Sequence, residues 1–157
     1  MDRQPATFRE AMALFPSGVT IVTTRDRSGC RWGFTATSFC SVSMDPELIL
    51  VCLSVDAECY PVFAAAEHWL VHVIPPELAS LARTFATRGA DKFAGAGFTD
   101  DDRGLPALDR ASVMLHCVTH HQHAEGDHMV LVGQVQRVCV AAATPAVYFD
   151  REFRELA

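Results

Sequence analysis

Gly33-Phe34-Thr35-Ala36-Thr37-Ser38-Phe39-Cys40-Ser41-Val42-Ser43-Met44-Asp45-Pro46 is the segment around which the chain is organised. The small hydroxyl residues Thr35, Thr37, Ser38, Ser41 and Ser43 stand among apolar ones, and no acid or base lies between Gly33 and Met44. A half-buried strand alternates apolar and polar residues. Here Thr35 and Thr37 point one way and Ala36 and Ser38 the other. Beyond the interruption at Phe39-Cys40, Ser41 and Ser43 share a face opposite Val42 and Met44. The pattern predicts two short strands with a bulge or bend between them. Backbone amides and hydroxyls exposed at such a bend can donate several hydrogen bonds without bringing in charge. That suits a large, flat, polar-edged ligand; the plainer alternative is a hydroxyl-rich edge strand.

Working outward, Thr7-Phe8-Arg9-Glu10 fits a capping box and predicts a helix to about Phe15, stopped by Pro16-Ser17-Gly18. Val19 to Arg25 reads as a strand, with Asp26 to Gly29 as the hairpin turn after it. Asp45-Pro46 turns the chain into Leu48-Ile49-Leu50-Val51-Cys52-Leu53, an apolar run typical of a strand buried on both faces. Tyr60-Pro61 opens a short helix to about Ala66, and Trp69 to Ile74 is the next strand. Glu77 to Ala86 carries Leu78, Leu81, Ala82 and Phe85 at helical spacing. Arg88 to Gly97 reads as a Gly-rich, partly helical excursion and Thr99 to Gly104 as an acidic surface loop. Ser112 to His120 and His128 to Ala141 are two long strands joined by a polar turn at about Gln122 to Asp127. Val147 to Phe149 is a last short strand before the tail. Many strands, few helices and frequent turn signals predict a mainly β fold, an antiparallel barrel with flanking helices over its openings. No linker divides the chain, so one domain over residues 1–157 is expected.

Thirteen basic and nineteen acidic residues give a net charge of −6, and no basic run occurs, which argues against a nucleic-acid partner. Met1-Asp2-Arg3-Gln4-Pro5 does not read as a secretory leader, and the longest apolar run is far too short to cross a bilayer. A soluble, cytoplasmic protein without membrane contact is expected. The six cysteines, Cys30, Cys40, Cys52, Cys59, Cys117 and Cys139, form no C-x-x-C pair and read as small hydrophobes kept reduced.

No G-x-G-x-x-G follows a strand, and no Walker loop or G-x-S-x-G elbow is present. His116, His120, His121, His123 and His128 cluster within thirteen residues, yet their spacing matches no zinc pattern. No metal is expected, and His120, His121 and His123 are assigned to a solvated turn.

Three groups of residues carry a resemblance. Gly18-Val19-Thr20-Ile21-Val22-Thr23-Thr24 with Gly33 to Ser43 and Asp45-Pro46 is similar to the opening of the flavin reductase family, whose fold is the FMN-binding split barrel. Gly126-Asp127-His128 followed by Gly133-Gln134-Val135 resembles that family's second signature, and Tyr148 to Arg154 its third. The matches span about Phe8 to Arg154. The likeness is to short NAD(P)H:flavin oxidoreductases that supply reduced flavin to a separate monooxygenase, often in bacterial secondary metabolism such as antibiotic biosynthesis.

The resemblance implies a Greek-key antiparallel split β-barrel, a homodimer, FMN or FAD as flavin, and NADH or NADPH as donor. It implies that His128 positions the nicotinamide, and that Arg88 and Lys92 approach the flavin phosphate or the adenylate arm of a larger flavin. Ser54, after Cys52-Leu53, takes the place where a strand end meets the flavin ring. Flavin contacts are further implied at Thr35, Ala36, Thr37, Ser38 and Ser41, at Cys59 and Phe85, and at Phe153 and Arg154. The chain departs from the family pattern at Val55-Asp56-Ala57-Glu58-Cys59, a segment elsewhere richer in Ser, Thr and Asn, where Asp56 and Glu58 would be poor neighbours for a phosphate. Two other functions fit the same barrel. One is a flavin- or haem-binding module without turnover; the other is an electron-transfer protein that keeps its flavin bound.

Overall fold

The structure, a computed structural model, describes residues 4–156. Met1 to Arg3, the start of the stretch read for a leader, lie outside the described residues, as does Ala157. In chain order the elements are α1 (Phe8–Ala13), β1 (Ser17–Gly18), β2 (Thr20–Arg25), β3 (Arg31–Ala36), β4 (Cys40–Met44), β5 (Glu47–Ser54), α2 (Tyr60–Ala65) and β6 (His68–Val73). A 3₁₀ turn (Pro76–Leu78) leads into α3 (Ala79–Phe85), then β7 (Phe98–Asp100), β8 (Pro106–Leu108), β9 (Val113–Glu125), β10 (His128–Val140), β11 (Val147–Phe149) and β12 (Glu152–Arg154).

Seven strands make the main sheet in the order β3-β2-β6-β9-β10-β5-β4, every neighbouring pair antiparallel. Its two edge strands, β3 and β4, are consecutive in the sequence and joined only by Thr37 to Phe39. Laid flat, the edges of seven strands stand about 29 Å apart. A three-residue link reaches no more than about 14 Å. The sheet must therefore curl on itself, and the result is a mainly β split barrel. Ser38 pins the link, its Oγ accepting the N–H of Cys52 on β5 at 2.9 Å. No strand pairing bridges β3 to β4 or β5 among the described residues, so the barrel has a seam there.

Inside the curl lie Val22, Phe34, Val51, Leu53, Trp69, Val71, Leu115 and Leu131, all buried. Trp69 reaches across to Gly133 on β10, where a Cβ would come within 2.5 Å of the indole. A second core forms where α3 packs over the barrel, with Ile21, Ile74, Leu78, Ala82, Phe85 and Phe98. The hairpin β7–β8 covers the outer face of β2 and β6. There Thr23 Oγ1 donates to Pro106 O at 2.6 Å, and the fully buried His72 accepts the Leu108 N–H at Nε2 and bonds Ile21 O through Nδ1.

Several sequence expectations change. β5 is not buried on both faces: Ile49, Val51 and Leu53 point inward while Leu48, Leu50 and Cys52 stay half-buried, because a barrel strand has one inner face. Residues 88–97 form turns without helix. Thr99 to Gly104 is not a free loop, since Asp100 in β7 binds the guanidinium groups of Arg25 and Arg31. Asp101 caps the Arg103 and Leu105 N–H groups at 2.9 and 2.8 Å. The turn between β9 and β10 is only Gly126-Asp127, so His120, His121 and His123 stand exposed on a strand. The tail forms β12 after a turn in which Asp150 and Arg151 both have positive φ. No helix among the described residues is long and apolar enough to cross a membrane.

Candidate functional site

The seam opens into a cleft of about 260 Å³. Its walls are Phe34 and Thr35 of β3, Cys52 to Ser54 of β5, Ala57 to Cys59 ahead of α2, Phe85 to Arg88 at the end of α3, Lys92, and His128 at the start of β10.

Backbone alternation explains why a cleft here is chemically useful. Gly33 O accepts from Lys92 Nζ at 3.2 Å, so Gly33 turns its backbone groups away from β2. Thr35, two residues on, turns its own the same way, toward an edge with no strand beside it. Across the seam Cys52 N–H points away from β10 to Ser38, and Ser54 repeats that direction beyond the last β4 pair, Cys40 with Leu50. The N–H groups of Thr35 and Ser54 thus lack ladder partners at the one place where two strands diverge. An unpaired amide next to a sheltered cleft is a donor in want of an acceptor.

Charge is gathered at one end. Arg88 donates to Asp56 O at 2.9 Å and lies 3.8 Å from the Glu58 carboxylate, which also takes the Gly89 N–H at 3.1 Å. Glu58 is therefore tied up by the residues after α3, and Lys92 is left as the positive group at the Gly33 edge. This alters the expectation for the acidic segment, since the carboxylate of Glu58 already has partners. At the other end His128 is half-buried. Its Nδ1 meets the Asp127 carboxylate at 2.7 Å, and that contact holds the Asp127 carboxyl below its usual range. With Nδ1–H donating to the carboxylate, Nε2 remains to meet a ligand. Burial pushes the Cys59 thiol upward, so it lines the cleft as a small apolar group.

The expected site residues separate into two sets. Thr35, Cys52, Leu53, Ser54, Cys59, Phe85, Arg88, Lys92 and His128 come together in this cleft. Ala36 is buried in the barrel interior. Thr37 and Ser38 line a different and larger cleft of about 830 Å³, between α1, the seam link and the β11–β12 turn. Ser41 is exposed on β4. Phe153 packs on Tyr148 beneath Arg83, and Arg154 pairs with Glu152, in the small sheet β1-β11-β12. The Thr35 hydroxyl is spent on Ala82 O, so that side chain holds α3 to the seam. Phe34, Ala57, Ala86 and Thr87 also line the cleft without having been singled out. Only Phe34 had a signal, as one of two aromatic residues, with Phe39, in the opening motif.

An apolar slot edged by unpaired amides, with positive charge at one end, fits a flat heteroaromatic ring carrying an anionic tail. The comparisons with known proteins agree. Residues 12–157 match the model of the flavin reductase like domain. The chain is 46% identical over 157 residues to the actinorhodin polyketide dimerase of Streptomyces coelicolor, covering 99% of this chain and 89% of that one. It is 38% identical over 152 residues to the NADH:riboflavin 5'-phosphate oxidoreductase of Streptomyces pristinaespiralis, covering 95% and 86%. Among solved structures, the NADH:FAD oxidoreductase of Streptomyces globisporus, in complex with NAD and FAD fragments, superposes with a TM-score of 0.89 at 30% identity over 95% of this chain and 90% of that one. Further matches are named as reductase components of a flavin-dependent monooxygenase and of a two-component halogenase.

Proposed function

The chain belongs to the flavin reductase-like domain family, and on that premise we propose that it is an NAD(P)H-dependent flavin reductase, using FMN or FAD, that supplies reduced flavin to a partner monooxygenase. NADH is the donor in the names of its relatives. The observation that carries the reading is the seam cleft, where the Thr35 and Ser54 amides have no strand partner between Lys92 at one end and His128 at the other.

Bound flavin supplies the ring nitrogen that accepts a hydride from reduced nicotinamide. The protein has to hold and orient. Phe34, Leu53 and Phe85 offer an apolar surface to the ring, and the Thr35 and Ser54 amides donate to its polar edge, where negative charge develops. Lys92 meets the phosphate. His128, steadied by Asp127, positions the nicotinamide at the open mouth. No side chain need act as a base.

The whole chain, 1–157, acts as one domain in this reading. A homodimer is supported by apolar surface: α1 buries none of its residues, and Phe8, Met12, Leu14, Phe15, Val42 and Met44 are exposed. A two-fold dimer covering more than about 1,000 Å² would bury them, and a monomer mass by light scattering in the active protein would exclude it. Action in the cytoplasm is supported by six free cysteines. A natural-product pathway is supported by the actinorhodin relative.

The test mixes protein, NADH or NADPH, and excess free flavin, and follows the nicotinamide absorbance. Many flavins reduced per protein is the expected result. A single stoichiometric reduction would indicate a bound-flavin electron carrier, and no reduction a binding module.

A further inference from the structure

A second cleft, of about 200 Å³, adjoins the first and shares Glu58, Cys59 and Lys92 with it. Beyond Lys92 it runs along the outer edge of β3, past Trp32 and Arg31, with Phe93 opposite. Neither cleft alone reaches the roughly 300 Å³ at which ligand pockets begin; as one groove they exceed it. The aromatic lining is continuous as well, because Phe93 in the second cleft packs edge-on against Phe85 of the first at 5.1 Å.

The second cleft has its own chemistry. Trp32 is half-buried, and its Nε1–H donates to Asp26 Oδ2 at 2.8 Å. Asp26 is itself held by the Ser28 hydroxyl and the N–H groups of Ser28 and Cys30. Its hydrogen bonds from Ser28 and Trp32 lower the carboxyl to about 2, so the acceptor stays ionised at any working pH. The indole is thereby fixed at the cleft wall. Arg31 is pinned beside it by Asp100 at 2.7 Å, and the exposed Asp91 carboxylate accepts from Ala94 N–H at the far rim. A ligand ending at one phosphate stops at Lys92 and leaves this wall unused. Lys92 lines both clefts, so a ligand that continues past it enters the cleft walled by Trp32, and a fixed indole suits the stacking of a purine ring.

We propose that this chain prefers the dinucleotide flavin FAD to FMN, with the diphosphate beside Lys92 and the adenine stacked on Trp32. The proposal rests on the reading of the first cleft as the flavin site. It makes Trp32 the residue that sets flavin specificity, although Trp32 touches neither the isoalloxazine slot nor His128.

The experiment is calorimetric titration with oxidised FAD and oxidised FMN, without nicotinamide, on the wild type, Trp32→Phe and Trp32→Ala. The wild type should bind FAD about tenfold or more tightly than FMN, within the range for one base stacked on an aromatic ring. Trp32→Ala should weaken FAD by about 5- to 100-fold, leaving FMN within about twofold, and Trp32→Phe should keep most of the preference. FMN bound as tightly as FAD by the wild type overturns the proposal even if the alanine variant does not fold. Equal weakening of both flavins in Trp32→Ala overturns it too, while leaving the flavin site in place. Binding of neither flavin by the wild type would instead overturn the reading of the first cleft, and this proposal with it.

Discussion

Gly33 and Gly133 stand on opposite sides of the barrel, and each is overlain by an aromatic ring. On the closed side, a Cβ at Gly133 would meet Trp69 at 2.5 Å and Cys117 at 2.9 Å. That wall, β2-β6-β9-β10, is paired strand to strand, with register shifts in β9–β10 at Val132/Gly133 and Val135/Arg137, and Trp69 is held there, fully buried with Nε1 bonded to Thr119 Oγ1 at 3.0 Å. At the seam, a Cβ at Gly33 would meet Phe85 at 2.6 Å and the Val22 carbonyl at 2.9 Å, and Phe85 borders the cleft. The same close approach stabilises the fold on one side and shapes the site on the other. The chemistry lies where the ladder is missing, because only there are backbone donors free.

The largest expected effect sharpens the closed side. His72 is wholly buried, and burial lowers its pKa from 6.5 to about 4. Below pH 6.5 the unfolded chain takes up a proton that the native His72 refuses, so stability falls with pH between about 6.5 and 4. The loss approaches about 1.4 kcal/mol per pH unit and reaches about 3 kcal/mol in all. His72→Gln can keep the bonds to Ile21 O and Leu108 N–H without titrating, so its melting temperature should vary less across that window. His116, lowered chiefly by burial, adds in the same direction in both proteins. Identical pH profiles for the two would show that His72 is not buried neutral.

Next in size, Gly133→Ala should cost about 2 kcal/mol, as overpacking of a filled core does. Denaturant unfolding should record that loss, while the flavin KM of the remaining folded protein should hardly change. Gly33→Ala is the counterpart; it too should lose stability, because the Val22 carbonyl and Phe85 both crowd the added methyl, and its distinguishing effect is on the site. It should push Phe85 into the cleft and raise the flavin KM by about tenfold, equivalent to about 1.4 kcal/mol of binding. If Gly33→Ala lowered only stability and Gly133→Ala raised the flavin KM, the division between wall and seam would be reversed.

Much of the wall was legible from local pattern. Thr7 and Glu10 form the capping box that their spacing announced, and Thr20 to Arg25 and His68 to Val73 are strands near where β-branched and apolar residues predicted them. The bend near Phe39 was legible too, and it proves to be the seam. What the sequence hid was tertiary. Asp100 and Asp101 read as solvated acids, yet they are consumed by Arg25, Arg31 and the turn amides, partners remote in sequence or invisible to composition. The β11–β12 turn carries no Gly or Asn, so Asp150-Arg151 gave no signal. In the site, Arg88, Lys92 and His128 were found through resemblance, since each alone reads as a surface polar residue. Trp32, which lines the second cleft, gave no signal because an aromatic residue in a strand reads as core. Thr37 and Ser38, chosen for their hydroxyls, line the larger cleft by α1, whereas the seam cleft is edged by amides that every residue owns.

The flavin ring belongs at the seam, between β3 and β5. A crystal structure of the protein soaked with oxidised FAD decides it directly. The isoalloxazine is expected in the cleft between β3 and β5, with its polar edge within about 3.2 Å of the Thr35 and Ser54 amides and its phosphates toward Lys92. A ring seated in the larger cleft between α1 and Thr37 to Cys40, with the seam left empty, would contradict it.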